Sequence, residues 1–401
     1  MFSSYTAFIN SRHSNNLAVN LLQNGSARCW SGKPTPDLVP ETIDTEFGPI
    51  IKICPGDSVL YAVTMSGRLI VWTPAAVQGP KQFKTTTPAI DLVQNGYIAG
   101  SRVKTVAGIG YVVIAFECTA VMFQRQEFGP STITCKTFEH EIEEVKGSSS
   151  HCFVRTICGL HTFGSNRYQE CGWHTYGPKV DGWVDVIFDQ VSNIRKVVCG
   201  QYSTFIILND GNVRACGRHY STEDETITRI MFPQAEIVLD MATSPCLTFY
   251  ITETGLCYYV QSQAAKTIKS PVLIQFLTGY FIEKIYIFYT VVIFQYDGER
   301  LLMVHLVPDR EYIAVMDPAY GSGKLKPVRL DSLDNKGVCN IAQIGDYLYL
   351  TTDEGQIYYC GCNKDADGQQ AERITFFDTN PAVVNRDYCR VRSAGSDTRA
   401  L

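Results

Sequence analysis

Eight times along this chain an apolar run meets a tight turn and a second apolar run, and that recurrence governs what the chain can fold into. The clearest copy is KVVCGQYSTFIILNDGNVRACG at 196–217. Its Asp210-Gly211 step separates two strand-like runs, and Gly tolerates the positive φ that a tight hairpin demands. GDSVLYAVTMSGRLIVWTP (56–74) keeps the same order with Ser66-Gly67, and GDYLYLTTDEGQIYYCGCN (345–363) keeps it with Glu354-Gly355. GSSSHCFVRTICGLHTFGSN (147–166) turns at Gly159, and weaker copies turn at Gly25, Gly255 and Gly298. The weakest, GYVVIAFECTAVMFQ (110–124), has no glycine at its turn near Thr119, which makes it the one copy suspected of not being a repeat unit.

From Gly25 to Gly355 the turns average about 47 residues apart, within the period of propeller blades. Five residues past the turn glycine stand Trp30, Trp72, Cys216, Val260, Met303 and Cys360; in the copy turning at Gly159, Phe163 comes one residue sooner. All are apolar, as an inward strand position requires. Sustained helical stripes with caps are scarce, and solenoid repeats are usually shorter than these. The expectation is an all-β chain: a closed β-propeller of four-stranded blades forming a single domain over 1–401. DYCRVRSAGSD (387–397) matches the first strand and glycine of a unit, with Gly395 in the place of Gly200. That strand is expected to join the N-terminal hairpin (about 1–33) in one blade and so close the ring.

Apolar residues make up 45% of the chain and charged ones 19%, which supplies a large core and argues against disorder. With a net charge of −5, direct nucleic-acid binding is disfavoured, because such binders carry a basic patch. The opening MFSSYTAFINSRHS lacks the charged and apolar regions of a secretory signal. The longest strongly apolar run, IYIFYTVVIF (285–294), is too short for a membrane helix and suits a buried strand, so no membrane span is expected. The fifteen cysteines are accordingly read as reduced thiols in the cytoplasm or nucleus.

The copy at 196–217 has an apolar strand ending in Gly, a polar step, an apolar strand and an Asp-Gly turn. HTFGSNRYQECG (161–172) adds a tail with Gly164, Ser165, Asn166, Gln169 and Gly172, loosely echoed by YYCGCNKDADGQ (358–369). Together these residues resemble the regulator of chromosome condensation repeat family. The resemblance implies a propeller, usually of seven blades, and seven is favoured on that ground although eight hairpins are counted. The best-known members catalyse nucleotide exchange on the small GTPase Ran and bind nucleosomes. Others regulate other GTPases, form propellers of ubiquitin ligases or sense ultraviolet light. This chain departs from the exchange factor, since the basic N-terminal tail is absent and the repeats are poorly kept. Only four Trp occur, and Trp30 and Trp72 fill the repeated strand position, which argues against light sensing.

Catalytic and metal patterns fail when examined one by one. Cys360 and Cys362 form a Cys-x-Cys, and Cys152, Cys158, Cys171 and His174 lie near one another in sequence. Neither group has the second Cys knuckle of a zinc site, so no metal is expected. Cys216 and Cys360 stand where other copies have Trp, which packing explains. His13 and His151 fall near the polar step after the first strand, a structural position in the resembled family. GSGK (321–324) has Pro318 where a phosphate loop needs Gly, and no Ser or Thr follows Lys324. The acidic FEHEIEEVKG (138–147) reads as a solvated edge. No catalytic residues and no cofactor are expected.

Function is then placed on loops. HLVPDREYIAVMDPAYGSGKLKPVRLDSLDNKG (305–337) mixes Asp309, Arg310, Glu311 and Tyr312 with Lys324, Lys326 and Arg329. These seven are the candidate protein-binding residues, because Tyr and Arg anchor interfaces. The leading expectation is a non-enzymatic protein-interaction platform, a monomer or part of a complex. The alternative is a guanine-nucleotide exchange factor for a Ran-type small GTPase.

Overall fold

The chain reverses where its turn residues direct it. Across the Asp210-Gly211 turn, Leu208 N–H donates to Asn212 O at 2.9 Å, and the Asp210 carboxylate accepts from Asn212 N–H at 2.9 Å. Gly211 has φ +79°, and a Cβ there would lie 2.5 Å from Ile237 Cγ2, so conformation and space both disfavour a side chain. Near Thr119 the turn needs no glycine. Phe116 N–H donates to Thr119 O at 2.8 Å, so Glu117-Cys118 close a two-residue loop between the strands Tyr111–Ala115 and Thr119–Gln124. The weakest copy, suspected of not being a repeat unit, is thus a complete hairpin.

A computed structural model describes residues 5–9, 17–21, 27–31, 41–43, 49–55, 60–64, 68–73, 84–85, 90–91, 105–107, 111–124, 132–148, 150–172, 179–218, 220, 227–233, 235–244, 247–261, 270–288, 291–298, 300–305, 328–330, 333, 337–344, 347–352, 356–361 and 372–373. Among the described residues the fold is all-β, with helix limited to short 3-10 turns such as Val191–Asn193 and Gln275–Leu277. No helix there is long and apolar enough to cross a membrane. Eight antiparallel sheets are described, in which consecutive strands pair in sequence order. We label them I (5–43), II (50–91), III (105–137), IV (142–185), V (194–230), VI (238–273), VII (282–329) and VIII (338–373). Seven have four strands, and in sheet II a fifth, Ile90–Asp91, also pairs with the third strand. Each sheet corresponds to one hairpin of the sequence, so the sheets number eight against the seven that the resemblance favoured.

The chain divides into two compact units, one of residues 1–135 with 335–400 and one of residues 136–334 with residue 401. In the first unit the opening strand of sheet I lies beside those of sheets VIII and II, and that of sheet III lies beside sheet II. In the second unit the opening strands of sheets IV and V are neighbours, as are those of sheets VI and VII. Sheet I takes its first strand from Tyr5–Ile9. Residues 387–397, expected to complete that blade, lie outside the described residues.

Sheets V, VI and VII of the second unit pack face to face in succession, which explains why a second strand there is apolar on both sides. In sheet VI every residue of Leu247–Thr252 is buried. Phe249 meets Phe294 of sheet VII edge-on at 5.8 Å, while the next residue, Tyr250, meets Phe205 of sheet V at 6.5 Å. Alternate residues of one strand therefore serve two interfaces, as the pleat requires. Each such side chain contributes about 1.5–3 kcal/mol by leaving water.

In sheets V and VI the repeated strand position faces the preceding sheet. Phe163, Cys216, Val260 and Cys360 are buried and stand opposite the second residue of the preceding strand. Trp30 likewise pairs with Ala18, the second residue of its strand, and Trp72 pairs with Leu60, the first of its strand. In sheet VII the equivalent is Val304, which pairs with Val292, rather than Met303. The reason is that Gly298 sits one place earlier in its three-residue loop than Gly211 does.

Candidate functional site

Of the seven candidate binding residues, Asp309, Arg310, Glu311, Tyr312, Lys324 and Lys326 lie outside the described residues. Arg329 ends the short strand Val328–Arg329, whose backbone pairs with Leu302 and Met303 in sheet VII. The described arrangement that presents binding chemistry is elsewhere, where sheets IV and V meet in the second unit.

Its base is the tail Gly164–Gly172. After the strand Leu160–Ser165 the chain winds back on itself. Gln169 N–H donates to Asn166 O at 3.1 Å, Gly172 N–H to Gln169 O at 3.0 Å, and Cys171 N–H to the Asn166 side-chain oxygen at 3.1 Å. Glu170 is fully buried, and its carboxylate accepts from Ser165 Oγ and from Tyr168 N–H, both at 2.6 Å. These bonds fix Arg167 and Tyr168 on the outside of a rigid coil. Gly217 of sheet V fits against the coil, since a Cβ there would lie 2.3 Å from Tyr202 O and 3.1 Å from Glu170 Cα.

A buried polar chain ties the two sheets together beneath this surface. Thr204 Oγ donates to Glu170 O at 2.8 Å. With its one proton so committed, Thr204 accepts from His151 Nε2–H at 2.6 Å, and His151 Nδ1 is left to accept from Ser148 Oγ (3.1 Å) or Ser150 Oγ (3.0 Å). Burial lowers the His151 pKa to about 3, so the ring is neutral at ordinary pH and serves structure, as its place after the first strand leads one to expect. Cys171 Sγ donates to Ser165 O at 3.0 Å, and Cys216 Sγ to Glu170 O at 3.6 Å. Burial pushes the Cys171 thiol up to about 12 and the Cys216 thiol higher still, which leaves both protonated and unreactive. Among the described residues no group of three or more His, Cys, Asp or Glu could hold a metal ion.

On top of this base stand two tyrosines and two arginines. The rings of Tyr168 and Tyr202 meet edge-on at 5.5 Å. The Arg218 guanidinium lies 5.4 Å from the Tyr168 centroid and 5.6 Å from that of Tyr202, while Arg167 stands 5.6 Å from Tyr168. Cation–π attraction of this kind is worth about 0.5–1 kcal/mol at exposed sites. Arg167 is exposed, and the other three are half-buried. Tyr202 and Arg218 also line a small polar depression that runs to Thr243, Ser244 and Thr248 of sheet VI. Sequence reasoning passed over this cluster because its members come from three separate turns. The only signal was an Arg or Tyr directly after a motif glycine or Ser-Asn step, in CGR (216–218) and SNRY (165–168).

The family model of the regulator of chromosome condensation (RCC1) repeat matches residues 194–221, which span three strands of sheet V and reach Arg218. No curated protein matches the chain in sequence. Among solved structures, human WBSCR16 is similar with a TM-score of 0.52 at 13% identity, covering 77% of this chain and 95% of that one, a likeness of fold. Prp20p from Saccharomyces cerevisiae, described with its binding to Gsp1p and histones, has a TM-score of 0.46 at 13% identity, covering 70% of this chain and 79% of that one. The repeat that builds sheet V, residues 194–221, is thus a regulator of chromosome condensation repeat.

Proposed function

We propose that this chain is a non-enzymatic protein-interaction platform, in which stacked sheets hold binding residues rigidly at one loop end. The observation that carries the reading is the Arg167, Tyr168, Tyr202 and Arg218 cluster, fixed from below by buried hydrogen bonds. Tyr and Arg dominate binding energy at protein interfaces, and preorganised side chains lose little entropy on binding. Cys118, Cys152, Cys158, Cys171, Cys216, Cys257 and Cys360 are free thiols, in keeping with a reducing compartment such as cytoplasm or nucleus. The test is affinity capture from native extract with the wild-type chain and with the Tyr168→Ala, Tyr202→Ala double variant. A partner held by the wild type and lost from a folded variant is expected; equal recovery by both would overturn the assignment of the site.

A second reading follows from the repeat at 194–221: exchange catalysis on a Ran-type or related small GTPase. The loop of Lys324, Lys326 and Arg329 would then meet the GTPase phosphate site. Catalytic amounts of the chain should speed release of a fluorescent nucleotide, and reversing those three residues to Glu should slow it. Unchanged release from every GTPase of the same cell would remove this reading.

A further inference from the structure

Several cations elsewhere in the second unit are matched with carboxylates. Lys196 pairs with Asp240 at 2.6 Å, Arg155 with Glu143 and Glu144, and Lys136 with Asp185 at 3.7 Å. Arg167 and Arg218 differ, because among the described residues neither has a carboxylate within ion-pair distance. The nearby Glu170 is turned inward to Ser165 and the Tyr168 N–H. The two guanidiniums stand against tyrosine rings, and among the described residues no acceptor is seen on their N–H groups.

We propose that Arg167 and Arg218, seated on Tyr168 and Tyr202, bind the carboxylates of an extended acidic peptide segment in a protein partner. This rests on the platform reading and names the chemistry of its partner. The guanidinium fork matches a planar carboxylate through two parallel N–H bonds. The guanidiniums lie 5.6 and 5.4 Å from the one Tyr168 centroid, hence no more than 11.0 Å apart, a reach open to long acidic side chains two residues apart on an extended strand, whose backbones stand about 7 Å apart. The opposite ends of sheets V, VI and VII expose Asp210, Glu253 and Asp297 in their hairpin turns. An acidic partner is repelled there and drawn to the arginine end, which sets its orientation. Nucleic acid fits poorly, because a phosphate backbone needs a long stripe of cations and the chain carries a net charge of −5.

The test is fluorescence anisotropy of the full chain with a labelled decapeptide of alternating Glu and Gly. Two further probes carry Gln in place of Glu, or phosphoserine at matched net charge. The Glu peptide is expected to bind and to weaken as salt rises; the Gln peptide is expected to bind at least tenfold more weakly. Arg167→Gln with Arg218→Gln should weaken Glu-peptide binding at least tenfold while the thermal midpoint holds. The Gln probe and the salt series need only the wild-type chain, so they stand even if the double variant misfolds. Absence of Glu-peptide binding, equal binding of the Gln peptide, or an unchanged affinity in the folded double variant would overturn the proposal. Tenfold tighter binding of the phosphoserine peptide would also overturn it, in favour of a phosphorylated partner. A captured partner that is lost on the tyrosine substitutions, from a chain that ignores the Glu peptide, would refute the acidic segment and leave the platform standing.

Discussion

Thr64, Thr156 and Thr352 each end a second strand, three residues before the turn glycine, and each hydroxyl accepts a backbone N–H across the turn at 2.9–3.1 Å. Thr252 holds the same place and bonds the Thr254 hydroxyl at 2.8 Å. All four are buried, so Thr156→Val should strand the Gly159 N–H and cost about 1–3 kcal/mol in denaturant unfolding. His151 gives a pH signature. Its folded pKa of about 3 lies below the ordinary 6.5, so the unfolded chain takes up the proton first as pH falls. The stability this neutral ring contributes is complete above 6.5 and is lost as pH drops from 6.5 toward 3, by about 1.4 kcal/mol per unit. His151→Gln should therefore be less stable than wild type at pH 8, with the gap closing by about 2 kcal/mol at pH 5. The threonine register was legible in the sequence as Thr-x-x-Gly in four copies. The Arg–Tyr cluster was not, because contact across turns leaves no periodic trace.

At the scale of elements, the first strands carry a second repeat that turn glycines do not reveal. In sheets II, IV, V, VI, VII and VIII the register shifts at the second residue of the first strand, a β-bulge. The residue before it is always Ile or Val and always buried: Ile50, Ile142, Ile194, Val238, Ile282 and Val338. Three residues on stands a second buried apolar residue, such as Val197 or Met241. The bulged residue between them faces outward in Glu143, Arg195 and Glu283, all exposed. Ile194→Ala is expected to cost about 2–5 kcal/mol, and its neighbour Arg195→Ala less than about 0.5 kcal/mol, in equilibrium unfolding. Comparable losses at both positions would mean that the bulge does not turn Arg195 away from the core. Second and third strands were plain in the sequence because both faces are buried. Fourth strands such as Val272–Leu273 and Glu372–Arg373 were not, since two residues carry no period.

For the whole molecule, each of the eight hairpins read in the sequence, including the one without a turn glycine, falls in a sheet of its own among the described residues. Circular dichroism should show a β-dominated spectrum with negligible helix. On the proposed reading, the sheets hold the site still and the charges bias which loop end a partner meets. That the arginine–tyrosine end of sheets IV and V is the binding end can be tested directly by photocrosslinking. A photoreactive residue at Gln201, beside Tyr202, samples this end, and one at exposed Asn209 samples the opposite end of the same sheet. In native extract, a specific adduct is expected from position 201 and none from 209. An adduct from 209 with none from 201 would contradict the account.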